Sequence, residues 1–257
     1  MATAPQPSMP LFYNRIEPLS SSAHSSWKAR GLETAPFLVN AHAVPITVEE
    51  FVVAQRHYPI VFSSGADPVP LALMGLNEGV NVFVDGEGRL NSDVYVPAYV
   101  RRYPFMLARL RDDSEDLSLC FDPTSGALGD FEEGNPLFED GQPSQMIQDV
   151  LGFCERFEQS AIQTGQFMRE LKEHGLLIDG EVSIQPDNAG QPFVYRGFQM
   201  VSEEALRNLR GDVLRKMVQS GMLPLVFAHL FSLSLVRDVF GKQMVMGKVP
   251  PQPVANS

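Results

Sequence analysis

The chain has 257 residues, 44% hydrophobic and 20% charged, an ordinary globular composition with length enough to bury a sizeable core. Its net charge is −11, from 31 acidic and 20 basic residues; this repels phosphate backbones and argues against nucleic acid as a partner. Two cysteines, Cys120 and Cys154, are too few for a disulfide-stapled secreted scaffold and suit a reducing compartment, with one bridge between them left open.

Residues 1–36 are rich in Pro, Ser and Ala around the single tryptophan, Trp27, and read as an arm lying across the body of the protein. The stretch MATAPQPSMPLFYNRI has neither the basic start nor the apolar segment of a cleavable signal. A soluble, cytoplasmic protein is expected, with surface association only by a non-standard export route. Residues 37–122 read as mainly β. FLVNA is a short apolar piece, ITVEEFVVA a helix entered from Thr47, and HYPIVFSS and VPLALMGL two strands separated by the turn-rich GADP. In VNVFVDGEGRL, Val80, Val82 and Val84 alternate with Asn81 and Phe83 before Asp85-Gly86, which predicts a β-hairpin. LSLCFD is a further strand.

Residues 123–143 are acidic and turn-rich, a surface connection from which Leu137 and Phe138 tuck inward. From Ser144 the apolar period changes. Ile147, Val150, Leu151, Cys154, Phe157, Ala161, Thr164, Met168 and Leu171 recur at three- and four-residue steps, marking a long amphipathic helix with Ser144 as its N-cap and Gly175 as its stop. EVSIQP and FVYRGFQMV, joined by DNAGQ, form a second β pair. Ser202 then caps a helix over 202–219, Glu203 and Glu204 complementing its dipole, and another helix covers 222–240 beyond Gly221. The apolar run Met222–Val236 is too short and interrupted for a membrane span of about 20 residues. The reading is an α+β protein, a mainly antiparallel β N-terminal part packed with a mainly helical C-terminal part. Its domains are an arm (1–36), a single domain (37–240) and a Pro-rich flexible tail (241–257).

The motifs of nucleotide binding, serine hydrolysis and zinc hydrolysis are missing from the sequence: no GxGxxG opens a helix, and there is no GxxxxGK[ST], GxSxG or HExxH. DGEGRLNSD lacks the spacing and closing glutamate of a calcium loop and reads as a turn. His24, His42, His57, His174 and His229 never stand two or four residues apart, so no local metal pair is expected. His229, within VFAHLFSLS, reads as a core histidine, and both cysteines as buried structural thiols. No catalytic residue, metal or cofactor is assigned. Binding chemistry concentrates in VPAYVRRYPFMLARL. Pro104 moves Tyr103 out of the α region, so YVRRYP is expected as strand or extended exit rather than helix, and on a strand Arg101 and Arg102 take opposite faces. One of the two guanidiniums then faces a pocket beside Tyr99 or Tyr103 and grips a carboxylate or phosphate, with His57 at the mouth. Alternatively both arginines bridge the β part to acidic loops, and the tyrosines fill the seam.

The ordered succession HYPIVF, PLALMGLNEGVNVFVDGEGRL, VPAYVRRYPF, LCFD and GNPLFEDGQPSQ, continued by LKEHGLL, YRGFQMVSEEALRNL and MLPLVFAHLFSL, resembles the bacterial SapC family over about residues 37–236. The peptide-transport permease of the same name is a multi-span membrane protein and is not meant. The resemblance implies an association with a bacterial surface layer and serum resistance, and with outer-membrane nutrient receptors. It supplies no catalytic residues. A lattice subunit would have a longer Thr/Ser/Asn-rich, lysine-poor composition, so an accessory role fits better. The expectation is a non-enzymatic accessory or binding protein of the envelope, surface layer or nutrient uptake, with a homodimer or an envelope protein as partner. The alternative is a sensor or enzyme for a small anionic ligand, with its pocket between the β part and the helices.

Overall fold

The computed structural model describes residues 9–91, 93–111, 116–185 and 192–248. In chain order the strands are β1 (Glu17–Pro18), β2 (Lys28–Ala29), β3 (Ala43–Pro45), β4 (Ile60–Ser63), β5 (Pro70–Leu73), β6 (Phe105–Arg109), β7 (Leu117–Phe121), β8 (Leu128–Gly129), β9 (Asn135–Pro136), β10 (Phe138–Glu139), β11 (Gln142–Pro143), β12 (Leu177–Asp179), β13 (Val182–Ile184), β14 (Phe193–Tyr195) and β15 (Phe198–Val201). The helices are α1 (Phe51–Ala54), α2 (Ala98–Arg101), α3 (Gln145–Glu173), α4 (Glu203–Arg207), α5 (Gly211–Gln219), α6 (Met222–Ser232) and α7 (Val236–Val245). Antiparallel sheets dominate the N-terminal part and helices the C-terminal part, so the α+β class read from the sequence is the observed one.

The chain divides into two compact units, one made of residues up to Glu33 with Arg101–Glu158, the other of Thr34–Val100 with the residues from Gln159 onward. In the first unit, β1, β7 and β6 form an antiparallel sheet, and β8, β2 and β9 a second. The N-terminal residues are built into both sheets. Tyr13 donates its hydroxyl to the Phe105 carbonyl at 2.7 Å, and Trp27 sets its ring edge-on to Phe121 at 5.9 Å. Phe105, Leu107, Phe121, Leu137, Ile147 and Cys154 form the buried centre of this unit. Burying each phenylalanine contributes roughly 1.5–3 kcal/mol, which is what holds short strands together here. Leu137 is fully buried and Phe138 half-buried, as expected of that connection.

In the second unit the order β12-β15-β4-β5-β3 makes a five-stranded antiparallel sheet. Its first helical turn starts where the sequence places it. Glu50 Oε2 accepts from the Thr47 backbone N–H at 2.8 Å and the Thr47 hydroxyl at 3.0 Å, a capping box that opens the 3-10 turn Val48–Glu50 leading into α1. The other oxygen of the buried Glu50 carboxylate accepts from Ala98 N–H at 2.7 Å and the Tyr95 hydroxyl at 3.1 Å. On α3, the nine positions of the expected apolar face are buried or half-buried; Ser144 caps its first turn, and Gly175, with φ +63°, follows its end.

Three local expectations need correction. YVRRYP is not a strand: α2 runs through Arg101, and β6 starts only at Phe105, after a cis Tyr103–Pro104 peptide. Proline restricts only the residue before it, and a partner remote in sequence, the Glu50 carboxylate, satisfies the first N–H of α2. The Val80–Val84 hairpin reduces to one bridge, Val84 with Leu90, around the Asp85–Arg89 turn. The 202–219 helix is two, α4 and α5, parted near Asn208 and Gly211, which are poor helix formers. The DNAGQ connection and most of the proposed tail lie outside the described residues.

Candidate functional site

In the first unit, the last residue of α2, the start of β6, the start of β9 and the first three turns of α3 enclose an open groove of about 540 Å³. Arg101, Arg102, Phe105, Asn135, Asp149 and Phe153 are among its lining residues. Both arginines therefore reach one groove, because Arg101 closes a helix and Arg102 follows it in a turn; opposite strand faces do not apply. Their environments differ sharply. Arg102 is 7% exposed; its guanidinium lies 4.3 Å from the Phe157 ring centroid and 5.9 Å from that of Tyr13, with Nη1 3.4 Å from Glu158 Oε1. Burial raises the Glu158 pKa above its ordinary value, and the Arg102 charge only partly opposes this. Arg102 is thus an anchor within the unit. Arg101 is exposed at the rim, its guanidinium 5.2 Å from the Phe153 ring centroid.

Asp149 places a carboxylate in the same groove, accepting from Gln145 Nε2 at 2.9 Å. The groove thus offers a cation, an acceptor and an apolar floor, a combination suited to a small amphipathic anion that also carries a hydrogen-bond donor. Tyr103 is half-buried with its ring edge 5.3 Å from Tyr13, and burial, helped by the Asp122 charge, pushes its hydroxyl up to about 12. Tyr99 is buried and does not line the groove. His57 belongs to the second unit and lines a separate cavity of about 140 Å³ with Arg56, Asp238 and Lys242. The five residues singled out from the sequence are therefore not one constellation.

The cysteines are free buried thiols, and burial raises both, Cys154 to about 11. His229 is a core histidine with both nitrogens engaged: Nδ1 lies 2.8 Å from the Ile60 carbonyl, and Nε2 accepts the Val201 N–H at 3.1 Å. Among the described residues, no three His, Cys, Asp or Glu gather as a metal-binding group.

A second exposed feature lies on the C-terminal helices, where the sequence offers the apolar Met222–Val236 run as a partner surface without saying which side chains face outward. On α6, Phe227 and Phe231 stand one turn apart with stacked rings 5.7 Å between centroids, and Phe231 is 67% exposed. On α5, which packs against α6, Leu214 and Val218 are likewise one turn apart and exposed. The periodicity of apolar residues was visible, but nothing local told the outward positions from the inward ones. The run Met222–Val245 is helical throughout, long and apolar enough by length and composition to cross a membrane, with 39% of its most apolar window buried. Its inward face is committed to the second unit: Ser232 Oγ accepts from Ile60 N–H at 2.8 Å, and Gln243 Oε1 from Leu76 N–H at 3.0 Å.

The sequence profile of the SapC family matches residues 19–239. The chain belongs to the SapC family. No curated protein and no solved structure matches it detectably. The SapC span begins well before residue 37, taking in Trp27 and β2, and encompasses the groove, both thiols, His229 and the α5–α6 face.

Proposed function

We propose that this SapC chain is a non-enzymatic accessory protein of the bacterial cell envelope, supporting surface-layer or nutrient-uptake function by binding from the cytoplasmic side. Family membership supports the envelope setting. The observation that carries a binding role is the exposed α5–α6 face, where two stacked phenylalanines and two aliphatic side chains stand in water. Large apolar side chains clustered on a surface mark contact sites more often than chance. The test is deletion of the gene in its host, followed by complementation. The wild-type chain should restore a surface-layer or uptake defect, and the double variant Phe227→Ser, Phe231→Ser, expressed at equal level, should not. A deletion strain with an unaltered envelope, or full rescue by the variant, overturns the reading.

The groove supports a second reading, a sensor for a small anion, because an exposed guanidinium stacked on Phe153 stands at its rim. Native mass spectrometry of the chain purified gently from its host tests this. A retained anion that is lost from Arg101→Ala supports it; an empty wild-type chain favours the accessory role.

A further inference from the structure

We infer that the α5–α6 face seats the protein on an anionic lipid surface, lying in the headgroup layer without crossing it. This rests on the reading of that face as a binding surface and names what it binds. Phe227 and Phe231 on α6, with Leu214 and Val218 on α5, supply the exposed apolar component. Charge selects lipid over a second apolar protein face. From Glu203 to Lys248 seven basic residues stand against four acidic ones, Glu203, Glu204, Asp212 and Asp238, although the chain as a whole carries −11. Arg207, Arg215 and Lys216 are exposed on α4 and α5, and α5 packs against the α6 that carries the two phenylalanines.

Aromatic and aliphatic side chains on one face, flanked by Lys and Arg, are what an interfacial helix needs: apolar groups enter the acyl boundary while cations stay with the phosphates. The acidic remainder of the chain is repelled by the same surface, so the charge distribution also orients the molecule. The inward face of α6 is already occupied by the hydrogen bonds of His229 and Ser232 to the sheet, leaving only outward side chains for the bilayer. A peripheral mode follows, as spanning would require breaking those bonds inside the fold.

The test is co-sedimentation of the full chain with phosphatidylcholine vesicles and with vesicles in which a quarter of the lipid is phosphatidylglycerol. Phe227→Ser with Phe231→Ser and Arg215→Glu with Lys216→Glu are compared after circular dichroism confirms folding. Binding to the anionic vesicles is expected to fall roughly tenfold or more in each double variant and to collapse between about 0.1 M and 1 M salt. Equal binding to neutral vesicles, or none to anionic ones, overturns the inference. If the chain ignores lipid but forms a dimer that Phe227→Ser, Phe231→Ser disperses, the lipid inference falls and the binding face stands. A monomer that ignores both vesicle types removes the two together.

Discussion

His229 stands between Ile60 and Val201 as a hydrogen-bonded link, bonding the carbonyl of one and the N–H of the other. The ladder between β4 and β15 pairs Ser63 with Phe198 and Phe62 with Gln199, and where its regular pairing ends the imidazole continues it. The ring also stacks on Phe62 at 4.5 Å. Only one neutral tautomer serves both ends, with Nδ1–H donating and Nε2 accepting.

That arrangement predicts an acid-sensitive fold. Burial lowers the folded-state pKa of His229 from 6.5 to about 4, the bond to Ile60 only partly opposing it. The unfolded chain therefore binds the extra proton first as pH falls. The contribution is fully present above about 6.5 and is lost progressively toward pH 4, a loss on the order of 3 kcal/mol. Urea unfolding from pH 7 to pH 4.5 should show the decline, with a shallower slope in His229→Gln. An identical slope in that variant would assign the acid sensitivity to other groups.

Arg101 and Arg102 should separate cleanly. Arg102→Ala leaves Glu158 half-buried without its counter-charge and opens space beside Phe157, for a loss of about 2–4 kcal/mol. Arg101→Ala, at an exposed rim, should change stability by less than about 1 kcal/mol. Thermal unfolding measures both; equal losses would contradict the division into anchor and rim.

Thiol labelling reads the first unit's core. With Cys120 and Cys154 both buried and raised above their ordinary pKa, the native chain at pH 8 should react with a disulfide reagent only as fast as the unit opens. In denaturant both should react at once. Rapid labelling of either in the native chain would place it at the surface.

The two glycines of DGEG should respond oppositely. Gly88 has φ +83°, and an added methyl would meet the Ala35 carbonyl, so Gly88→Ala should lower stability by about 2–4 kcal/mol. Gly86 has open space around it, and Gly86→Ala should be nearly neutral. Chemical denaturation of the two variants decides it.

The same motif shows what the sequence could and could not disclose. Asp85-Gly86 reads as the turn pair, but the left-handed residue is Gly88, and Asp85 instead uses Oδ1 to accept from Glu87 and Arg89 N–H. The genuine two-residue Asp-Gly hairpin is Asp140-Gly141, both at positive φ, joining β10 to β11 inside a stretch read only as an acidic connection. The long helix α3 was legible because its apolar spacing recurs over about seven turns, from Ile147 to Leu171. The groove was only half legible. Arg101 and Arg102 were found, but Asn135, Asp149 and Phe153 carry no local signal; two further segments, β9 and α3, bring them there. Likewise the basic excess of the C-terminal helices is spread over forty residues and never forms a run.

The interleaving of the first unit has a consequence for synthesis on the ribosome. Tyr13 hydrogen-bonds a residue 92 positions downstream, and Trp27 packs on Phe121. Translation at about 5–20 residues per second leaves the N-terminal segment without its native sheet for about 5–20 s, while Thr34–Val100 emerges ahead of its partners. During that interval the aromatic residues of the segment are open to chaperones, and a stalled chain ending before β7 would present them continuously.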